Sequence, residues 1–238
     1  MLKIEEFLTP SPDQWMITIK GMRNAMNSWD RMDSYTYPID GDDGEMTFRL
    51  GLEDEKLAMR LNKGGSPHAK YRRMLPIHVT INAPLYWWKE FETYRIGVAS
   101  NPSDIEFNSC STMHRIHSKE FTLDDFSHEH LHYTCNLELD GTIAWMNYWR
   151  DIYVNGGYVY NFEGGEDRQF EPKDKFAWLQ MIQLLPSSYN QKRTIYMNYQ
   201  VLYEIYEWRR NHKLDEWHTF CHWIEELPYS ELITGERE

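Results

Sequence analysis

One arginine and one asparagine share a periodic stretch of sequence from which both could act on a ligand. Through residues 192–212, a stripe recurs at steps of three and four, at Ile195, Asn198, Leu202, Ile205 and Arg209. This spacing predicts one long helix with these side chains on a single face. A guanidinium on a core-facing stripe is unfavourable unless it meets a negative group. Arg209 therefore indicates either a salt bridge within an acidic protein or a contact to a phosphate or carboxylate ligand.

A run of small polar residues is the second candidate for ligand binding. It follows an irregular loop at 97–107 and consists of Asn108, Ser109, Cys110, Ser111 and Thr112. Hydroxyls and backbone N–H groups in such a run can bind an anion. The alternative interpretation is an ordinary helix cap or turn.

The third candidate is the histidine-rich segment 128–132, which fits the zinc-peptidase pattern His-Glu-x-x-His. On a helix, His128 and His132 would share a face and bind zinc, with Glu129 activating water. No further ligand follows at a recognisable spacing. We therefore expect a solvated helix face and no metal, and keep a zinc hydrolase as an alternative.

The elements that position these residues combine strands and helices. Residues 75–82 alternate, with Ile77, Val79 and Ile81 on one face, which predicts a half-buried strand that the pair Ala83-Pro84 ends. Further patterns predict helices over 54–63, 85–95, 143–152, 174–185 and 214–226, and a surface excursion over 33–53. Together these elements predict an α+β fold, helix-rich with a small sheet, in a single domain over residues 1–238.

Composition excludes several classes of function. The net charge of −12 argues against nucleic-acid binding, which needs a basic face. No apolar run approaches the roughly 18 residues of a membrane span, and acids stand at the N-terminus where a signal peptide would be apolar. The cysteines Cys110, Cys135 and Cys221 are widely spaced, which predicts reduced thiols in a cytoplasmic protein.

The segment 77–95, IHVTINAPLYWWKEFETYR, carries a resemblance to a known family. Its strand, Ala-Pro pair and helix resemble the flavin-dependent thymidylate synthases, in which the helix runs into an Arg-His-Arg signature. That signature falls on Thr93, Tyr94 and Arg95, so only the last arginine is kept. The family's upstream glutamine, a substrate contact, falls on Glu90.

Two further stretches are similar to the same family. Residues 108–114 resemble its nucleotide-binding pattern Asn-Glu-x-Ser-x-Arg-Tyr, of which Asn108 and Ser111 match. Residues 185–212 keep the family's spacing of a Leu-Pro pair, eleven residues, and then four site positions. Where the family has Asn, Arg, Asn and Arg, this chain has Asn198, Gln200, Glu204 and Arg209. The family's nucleotide-phosphate arginine falls on Ile182.

The resemblance implies an enzyme that methylates dUMP to dTMP, with methylenetetrahydrofolate as carbon donor and FAD reduced by NADPH. It implies a homotetramer whose sites are each built from several subunits. Arg209 and Ser111 would be the catalytic positions. Substrate would be bound at Glu90, Asn108, Ser111 and Arg209, and the flavin at Tyr94, Arg95, Asn198, Gln200 and Glu204.

The replaced arginines leave an alternative open, namely a nucleotide-binding relative with lost or altered catalysis. Each charge-assisted contact is worth roughly 1.5–3 kcal/mol, so several missing together would weaken binding strongly unless other cations substitute. The candidate substitutes are Arg23, Arg72, Arg73, Arg115, Lys119, Lys192, Arg193 and Arg210. The aromatic residues Trp87, Trp88, Phe91 and Tyr94 could stack on a flavin or base, or equally pack the core.

Overall fold

The computed structural model describes residues 1–39, 44–97, 105–160 and 167–235, without the side chains of 95–97. The chain divides into two compact units. The first comprises Met1, Asn82–Trp88 and Ser109–Lys192, and the second comprises Leu2–Ile81, Lys89–Asn108 and Arg193–Glu238. The single domain over 1–238 stays a prediction.

Helices predominate over strands, as the α+β prediction requires. The helices are α1 (Pro12–Met22), α2 (Leu52–Lys63), α3 (Leu85–Gly97), α4 (Tyr133–Asn155), α5 (Lys175–Leu184), α6 (Tyr199–Arg209), α7 (Asp215–Glu225) and α8 (Glu231–Thr234). The strands are β1 (Lys3–Leu8), β2 (Tyr35–Pro38), β3 (Met46–Arg49), β4 (Pro76–Pro84), β5 (Glu106–Ser109), β6 (Gly157–Val159), β7 (Arg168–Phe170) and β8 (Asn190–Asn198). The helices predicted over 54–63, 85–95, 143–152, 174–185 and 214–226 are confirmed.

The main sheet has the strand order β1-β4-β8-β5. The hydroxyl oxygens of Thr80 and Thr194 lie 2.9 Å apart, and the ring centroids of His78 and Tyr196 lie 5.2 Å apart. Residue numbers thus rise along β4 as they fall along β8, so the two strands run antiparallel. The predicted alternation is confirmed, because Ile77, Val79 and Ile81 are buried on one face of β4.

The prediction of one long helix over 192–212 is wrong. Residues up to Asn198 belong to β8, and α6 begins only at Tyr199. The strand shows a period of two from Gln191 to Met197, with Arg193 and Ile195 buried between exposed or half-buried neighbours. Ile195 and Asn198 therefore do not share a helix face with Arg209. The sequence shows steps of three and four because Ile195 and Asn198 of the strand happen to stand at helical spacings before Leu202 of the helix.

The described part of the segment 33–53, predicted as a surface excursion, is mostly exposed but contains two strands and one core side chain. Strands β2 and β3 form an antiparallel hairpin, with Thr36 opposite Phe48. Phe48 is buried and stacks on Trp15 of α1, with ring centroids 5.4 Å apart. The Tyr229 hydroxyl donates to the Phe48 carbonyl at 2.8 Å. The hairpin therefore contributes a side chain to the core of the second unit.

The first unit is built around α4 and α5. The stripe predicted over 143–152 is buried as expected: Ile143 and Met146 pack with Met181 and Phe126 in one apolar cluster. Thr122 is the N-cap of a short 3-10 helix, Leu123–Asp125, and its backbone N–H donates to the Asp125 carboxylate at 2.9 Å.

Neither a disulfide nor a membrane span is found in the described part of the chain. Cys110 and Cys135 are exposed free thiols, and Cys221 is a buried one. Over the same described residues, no helix is both long and apolar enough to cross a membrane.

Buried phenols predict a loss of stability in alkali. Burial raises the pKa of Tyr189 and Tyr206 to about 12 and moves the pKa of Tyr199 upward as well. The unfolded chain ionises these groups near pH 10, while the folded chain keeps their protons. Each such group therefore lowers the free energy of unfolding as pH rises from 10, by roughly 1.4 kcal/mol per pH unit.

Urea unfolding between pH 9 and 12, with phenolate absorbance followed in parallel, checks this expectation. Tyr206→Phe removes one of the titrating groups and should make the decline shallower. Stability that stays constant to pH 12 would contradict it.

Candidate functional site

Side chains from three helices meet at Arg209 within the second unit. As the last residue of α6, Arg209 donates from Nε to the Tyr94 hydroxyl at 2.6 Å. Its Nη1 lies 3.3 Å from Oε2 of Glu90, one turn earlier on α3. Its guanidinium carbon lies 4.8 Å from the ring centroid of Trp217 on α7. The structure thus joins three residues that the sequence nominated separately.

Glu90 is the acceptor around which this cluster is organised. Its Oε2 accepts from the indole N–H of Trp217 at 3.0 Å and lies 3.7 Å from Nε2 of His212. Nδ1 of His212 accepts from the Leu214 backbone N–H at 3.2 Å, which places the proton of the neutral ring on Nε2, facing Glu90. One carboxylate therefore balances the charge of Arg209 and contacts two further side chains.

The environment of Arg209 is half enclosed and rich in aromatic rings. Its side chain is 19% exposed, while that of Glu90 is 39% exposed. Burial raises the pKa of the Tyr94 phenol, partly offset by the neighbouring Arg209. Trp217 stacks against Phe91, with ring centroids 6.2 Å apart and planes 10° from parallel. A guanidinium held in this way can donate to a carbonyl or anionic oxygen arriving from solvent.

A second group of predicted residues lies at the other end of α6. The Asn198 side-chain oxygen caps the helix, accepting from the backbone N–H groups of Gln200 and Val201 at 3.1 Å. Nε2 of Gln200 donates to Glu204 at 2.7 Å. The side-chain oxygen of Gln200 is buried and has no donor in the described protein. At about 1.5 Å per residue, this end lies roughly 13 Å along the helix from Arg209.

Two solved structures share this architecture over nearly the whole chain. One is the flavin-dependent thymidylate synthase ThyX from Helicobacter pylori complexed with FAD and dUMP, with a TM-score of 0.58, 15% identity, and coverage of 98% of this chain and 97% of that one. A second structure of ThyX from Helicobacter pylori with FAD and dUMP gives a TM-score of 0.57 at 14% identity, with coverage of 98% and 97%. The fold is that of flavin-dependent thymidylate synthase. No family model and no curated protein matches the sequence.

Within this thymidylate synthase fold, the remaining predicted residues are placed as follows. Asn108 is exposed on β5 in the second unit. Ser111, in the first unit, accepts at its hydroxyl from the backbone N–H groups of Met113 and His114, at 3.3 and 2.9 Å, as in an ordinary turn. Arg95 lies on α3, but its side chain is outside the described residues. The ligand roles of these residues stay predictions.

The aromatic residues of α3 are packing residues in this fold. Trp87, Trp88 and Phe91 are completely buried, and Tyr94 is nearly so. The Trp88 indole N–H donates to the Gln191 carbonyl at 2.8 Å. Of the two interpretations left open by the sequence, stacking on a ligand and packing, the structure shows packing for the three buried rings.

Two of the cations proposed as phosphate substitutes already have structural partners. Arg72 is buried, donates to the Leu232 carbonyl at 2.7 Å and lies over the Tyr203 ring. Nη1 of Arg193 lies 2.5 Å from a Glu92 carboxylate oxygen. These two cations therefore hold the fold together.

The helix predicted for the histidine-rich segment 128–132 is wrong. The segment forms a turn, and His132 is the N-cap of α4, accepting from the Thr134 backbone N–H. Nδ1 of His128 lies 2.9 Å from the Phe126 carbonyl oxygen, and Glu129 binds the N-terminal amine. Among the residues that the structure describes, no three His, Cys, Asp or Glu side chains could hold a metal. The geometric basis for a zinc hydrolase is therefore lost.

His212 and Trp217 are site residues that the sequence did not nominate. Both follow Arg209 closely in the segment RRNHKLDEW, which turns back from α6 into α7. A turn of this length returns side chains to the end of the preceding helix. That geometry is the signal that could have identified them.

Proposed function

We propose that this protein is a flavin-dependent thymidylate synthase that converts dUMP to dTMP. Its carbon donor would be methylenetetrahydrofolate, and its FAD would be reduced by NADPH. One observation carries the proposal: Arg209, at the family's pyrimidine-binding position, is half enclosed and fixed by Tyr94 and Glu90. The similarity to structures of ThyX with FAD and dUMP supports it through the fold.

In this proposal, Arg209 binds and polarises the pyrimidine ring. Its guanidinium donates to a ring carbonyl and stabilises the negative charge that develops there, because preorganised donors in a partly dry site lower the barrier. Tyr94 and Trp217 fix the guanidinium from two sides and limit the access of water. FAD, when bound, supplies the hydride.

The other end of α6 fits a flavin ring in one respect. The buried oxygen of Gln200 lacks a donor in the described protein, and an isoalloxazine offers a ring N–H. Asn198 and Glu204 stand beside it, at family positions for the flavin. We assign these residues and Arg95 to the cofactor, with Tyr94 contacting it from α3.

Ser111 and Asn108 are assigned to the nucleotide by the same proposal. In a homotetramer whose sites are shared among subunits, Ser111 and Arg209 of one site need not come from the same chain. Ser111 is exposed, with its oxygen engaged in a local turn, so its hydroxyl proton is available to a ligand oxygen.

A second function, binding a pyrimidine nucleotide without the methylation cycle, is favoured by two observations. Glu90 already balances the charge of Arg209, at a position where the family carries glutamine. In addition, Gln200 replaces a family arginine at the flavin end of α6. Both changes remove net positive charge from positions that meet anionic ligands.

An absorbance spectrum followed by FAD titration, with and without dUMP, tests the proposal. We expect FAD to bind near stoichiometry, its bands to shift with dUMP, and dTMP to form when methylenetetrahydrofolate and NADPH are added. A protein that does not bind FAD would overturn the proposal. FAD and dUMP binding without dTMP would instead favour the second function.

Glu90→Gln tests whether the carboxylate of Glu90 weakens nucleotide binding at Arg209. The variant keeps an acceptor for the Trp217 indole but frees the charge of Arg209, so dUMP should bind about tenfold more tightly. Calorimetric titration measures this change. Glu92→Gln, which changes an acid paired with Arg193, is the matched control and should leave the affinity unchanged. Weaker dUMP binding by Glu90→Gln would show that the carboxylate itself holds the ligand.

A further inference from the structure

An aromatic cavity lies within the first unit, between α4, the antiparallel pair β6–β7 and the start of α5. Its volume is about 800 Å³, which falls within the range of small-molecule sites. Helix α4 contributes Trp145 and Tyr148, and the segment of β6 contributes Tyr158 and, just after the strand, Tyr160. Phe176 comes from α5. Aromatic side chains thus make up most of the described lining.

Contacts within the protein hold the walls of this cavity in place. Gly156 ends α4 with a positive φ of 75°, so the chain turns directly into β6. A Cβ at this position would lie 2.8 Å from the Phe170 carbonyl oxygen, so glycine allows β7 to pack closely against the turn. The Asp174 carboxylate caps α5 by accepting from the Phe176 backbone N–H at 2.7 Å. The same carboxylate accepts from Nη2 of Arg168 on β7 at 3.2 Å.

Large aromatic side chains of the cavity are exposed to solvent. Trp145 is 60% exposed and Tyr160 is 63% exposed. Tyr148, Tyr158 and Phe176 are between 39% and 48% exposed. Neighbouring apolar side chains that are exposed together on a protein surface mark a binding site. The cavity therefore offers ring surface to a ligand without any rearrangement of the core.

The exposed rings are arranged edge to face. The ring centroids of Trp145 and Tyr148 lie 5.6 Å apart with planes at 90°, and those of Tyr158 and Tyr160 lie 4.7 Å apart with planes at 65°. Aromatic rings prefer this geometry because the positive edge of one ring meets the negative face of the next. A further ring can join such an arrangement, whereas an alkyl chain has no comparable edge or face. The lining therefore favours a flat aromatic ligand over an aliphatic one.

Arg168 is the charged residue among the lining residues that the structure describes. Its guanidinium carbon lies 4.5 Å from the ring centroid of Phe170 and 5.1 Å from that of Phe176. It thus takes the position over these rings that a cationic ligand would need, and it repels such a ligand. The Arg168 side chain is 52% exposed, and Asp174 accepts from only one of its two Nη atoms. The other guanidinium donors can therefore meet an anionic oxygen.

We propose that this cavity binds a small, flat aromatic molecule that carries a carboxylate or another anionic group. The rings of α4 and of the β6 segment contact the aromatic part, and Arg168 donates to the anionic group. All the residues that carry the proposal belong to the first unit, whereas the Arg209 cluster belongs to the second. The proposal therefore does not depend on the thymidylate synthase activity.

Calorimetric titration of the full chain with naphthoate, a flat aromatic anion, tests the proposal. We expect a dissociation constant of about 1 mM or lower. Naphthylmethylamine, which is cationic at neutral pH, and decanoate, an aliphatic anion of similar size, should each bind at least about tenfold more weakly. Absence of naphthoate binding would overturn the proposal, as would equal or tighter binding of either comparison compound.

Two alanine variants test the contribution of the rings. Trp145→Ala and Tyr160→Ala should each weaken naphthoate binding about tenfold, because one stacked aromatic side chain contributes about this factor. Trp208→Ala removes an indole that is 75% exposed on α6, outside the cavity, and should leave the affinity unchanged. An equal loss in this control would contradict the proposal. If sedimentation shows that Trp145→Ala dissociates an oligomer, the rings form a subunit contact and the proposal is wrong.

Arg168→Gln tests the contribution of the charge. It should weaken naphthoate binding about tenfold and leave the binding of the neutral compound naphthylmethanol unchanged. An equal loss for both compounds would show that Arg168 only supports the wall of the cavity. Circular dichroism checks that each variant is folded. Arg209→Ala should bind naphthoate as the wild type does, and a loss in this variant would show that naphthoate occupies the proposed pyrimidine site instead.

Discussion

Arg209→Ala is expected to lower dTMP formation by about a hundredfold or more. The guanidinium would donate more than one charge-assisted hydrogen bond to the pyrimidine, each worth roughly 1.5–3 kcal/mol. A loss of 2.7 kcal/mol corresponds to about a hundredfold in rate or affinity. Initial rates of dTMP formation and the dUMP-dependent change in flavin absorbance would measure the loss. Both the rate of dTMP formation and the absorbance change should decrease, since the same contact binds and polarises the pyrimidine ring.

The neighbouring arginine supplies a matched control. Arg210 is exposed and pairs only weakly with Glu207, at 3.8 Å. Arg210→Ala removes the same charge from the next residue and should leave activity within about twofold, because exposed ion pairs contribute little. Full activity in a folded Arg209→Ala variant would exclude the pyrimidine role of Arg209. Equal losses in both variants would point to a nonspecific effect of charge.

The elements that the sequence predicted correctly are those whose burial follows one local period. Strand β4 has its apolar residues at every second position, and it ends at Pro84. The stripe Ile143, Met146 and Ile152 of α4 likewise follows the helical period over several turns. Such regular spacing is decided by which face meets the core, so a single stretch of sequence contains the information.

The long helix over 192–212 was mispredicted because two periods meet at Asn198. An asparagine before an amphipathic run is a helix N-cap signal, and its side chain does cap α6. The alternating burial before it, at Arg193, Ile195 and Met197, is typical of a strand. Either signal would have predicted a boundary between a strand and a helix at Asn198.

The helix prediction for the histidine-rich segment 128–132 was wrong for a similar reason, since His132 caps α4 and does not lie within a helix.

The candidate site was predictable only in part, because its contacts join distant parts of the chain. Arg209 was nominated for its charge on a core-facing stripe, and Glu90 and Tyr94 for their positions in a family pattern. Their mutual contacts, over more than 110 residues of sequence, are tertiary. His212 and Trp217 contact the cluster through Glu90. Neither helix propensity nor hydrophobic periodicity predicts a contact between residues so far apart in sequence.

Asp54→Asn is expected to destabilise the protein by about 3–5 kcal/mol, because it breaks a buried ion pair and leaves Arg23 charged and unpaired. Asp54 is fully buried, and its second carboxylate oxygen accepts from the Ser34 backbone N–H at 2.9 Å, the Ser34 hydroxyl at 2.6 Å and the Asp33 N–H at 3.1 Å. An amide cannot accept at both ends, so one donor is left facing another. Urea unfolding followed by tryptophan fluorescence measures the change.

Glu53→Gln, one residue earlier, is the matched control for charge. Glu53 is exposed and pairs with an exposed Lys56, so its loss should cost less than about 1 kcal/mol. The double variant Arg23→Met/Asp54→Asn tests whether the loss of stability comes from the unpaired charge of Arg23. Removing the guanidinium should then restore a substantial part of the lost stability, since an apolar chain of similar volume needs no partner. If the double variant is no more stable than Asp54→Asn, the loss comes from the hydrogen bonds to Ser34 and Asp33 and not from the unpaired arginine.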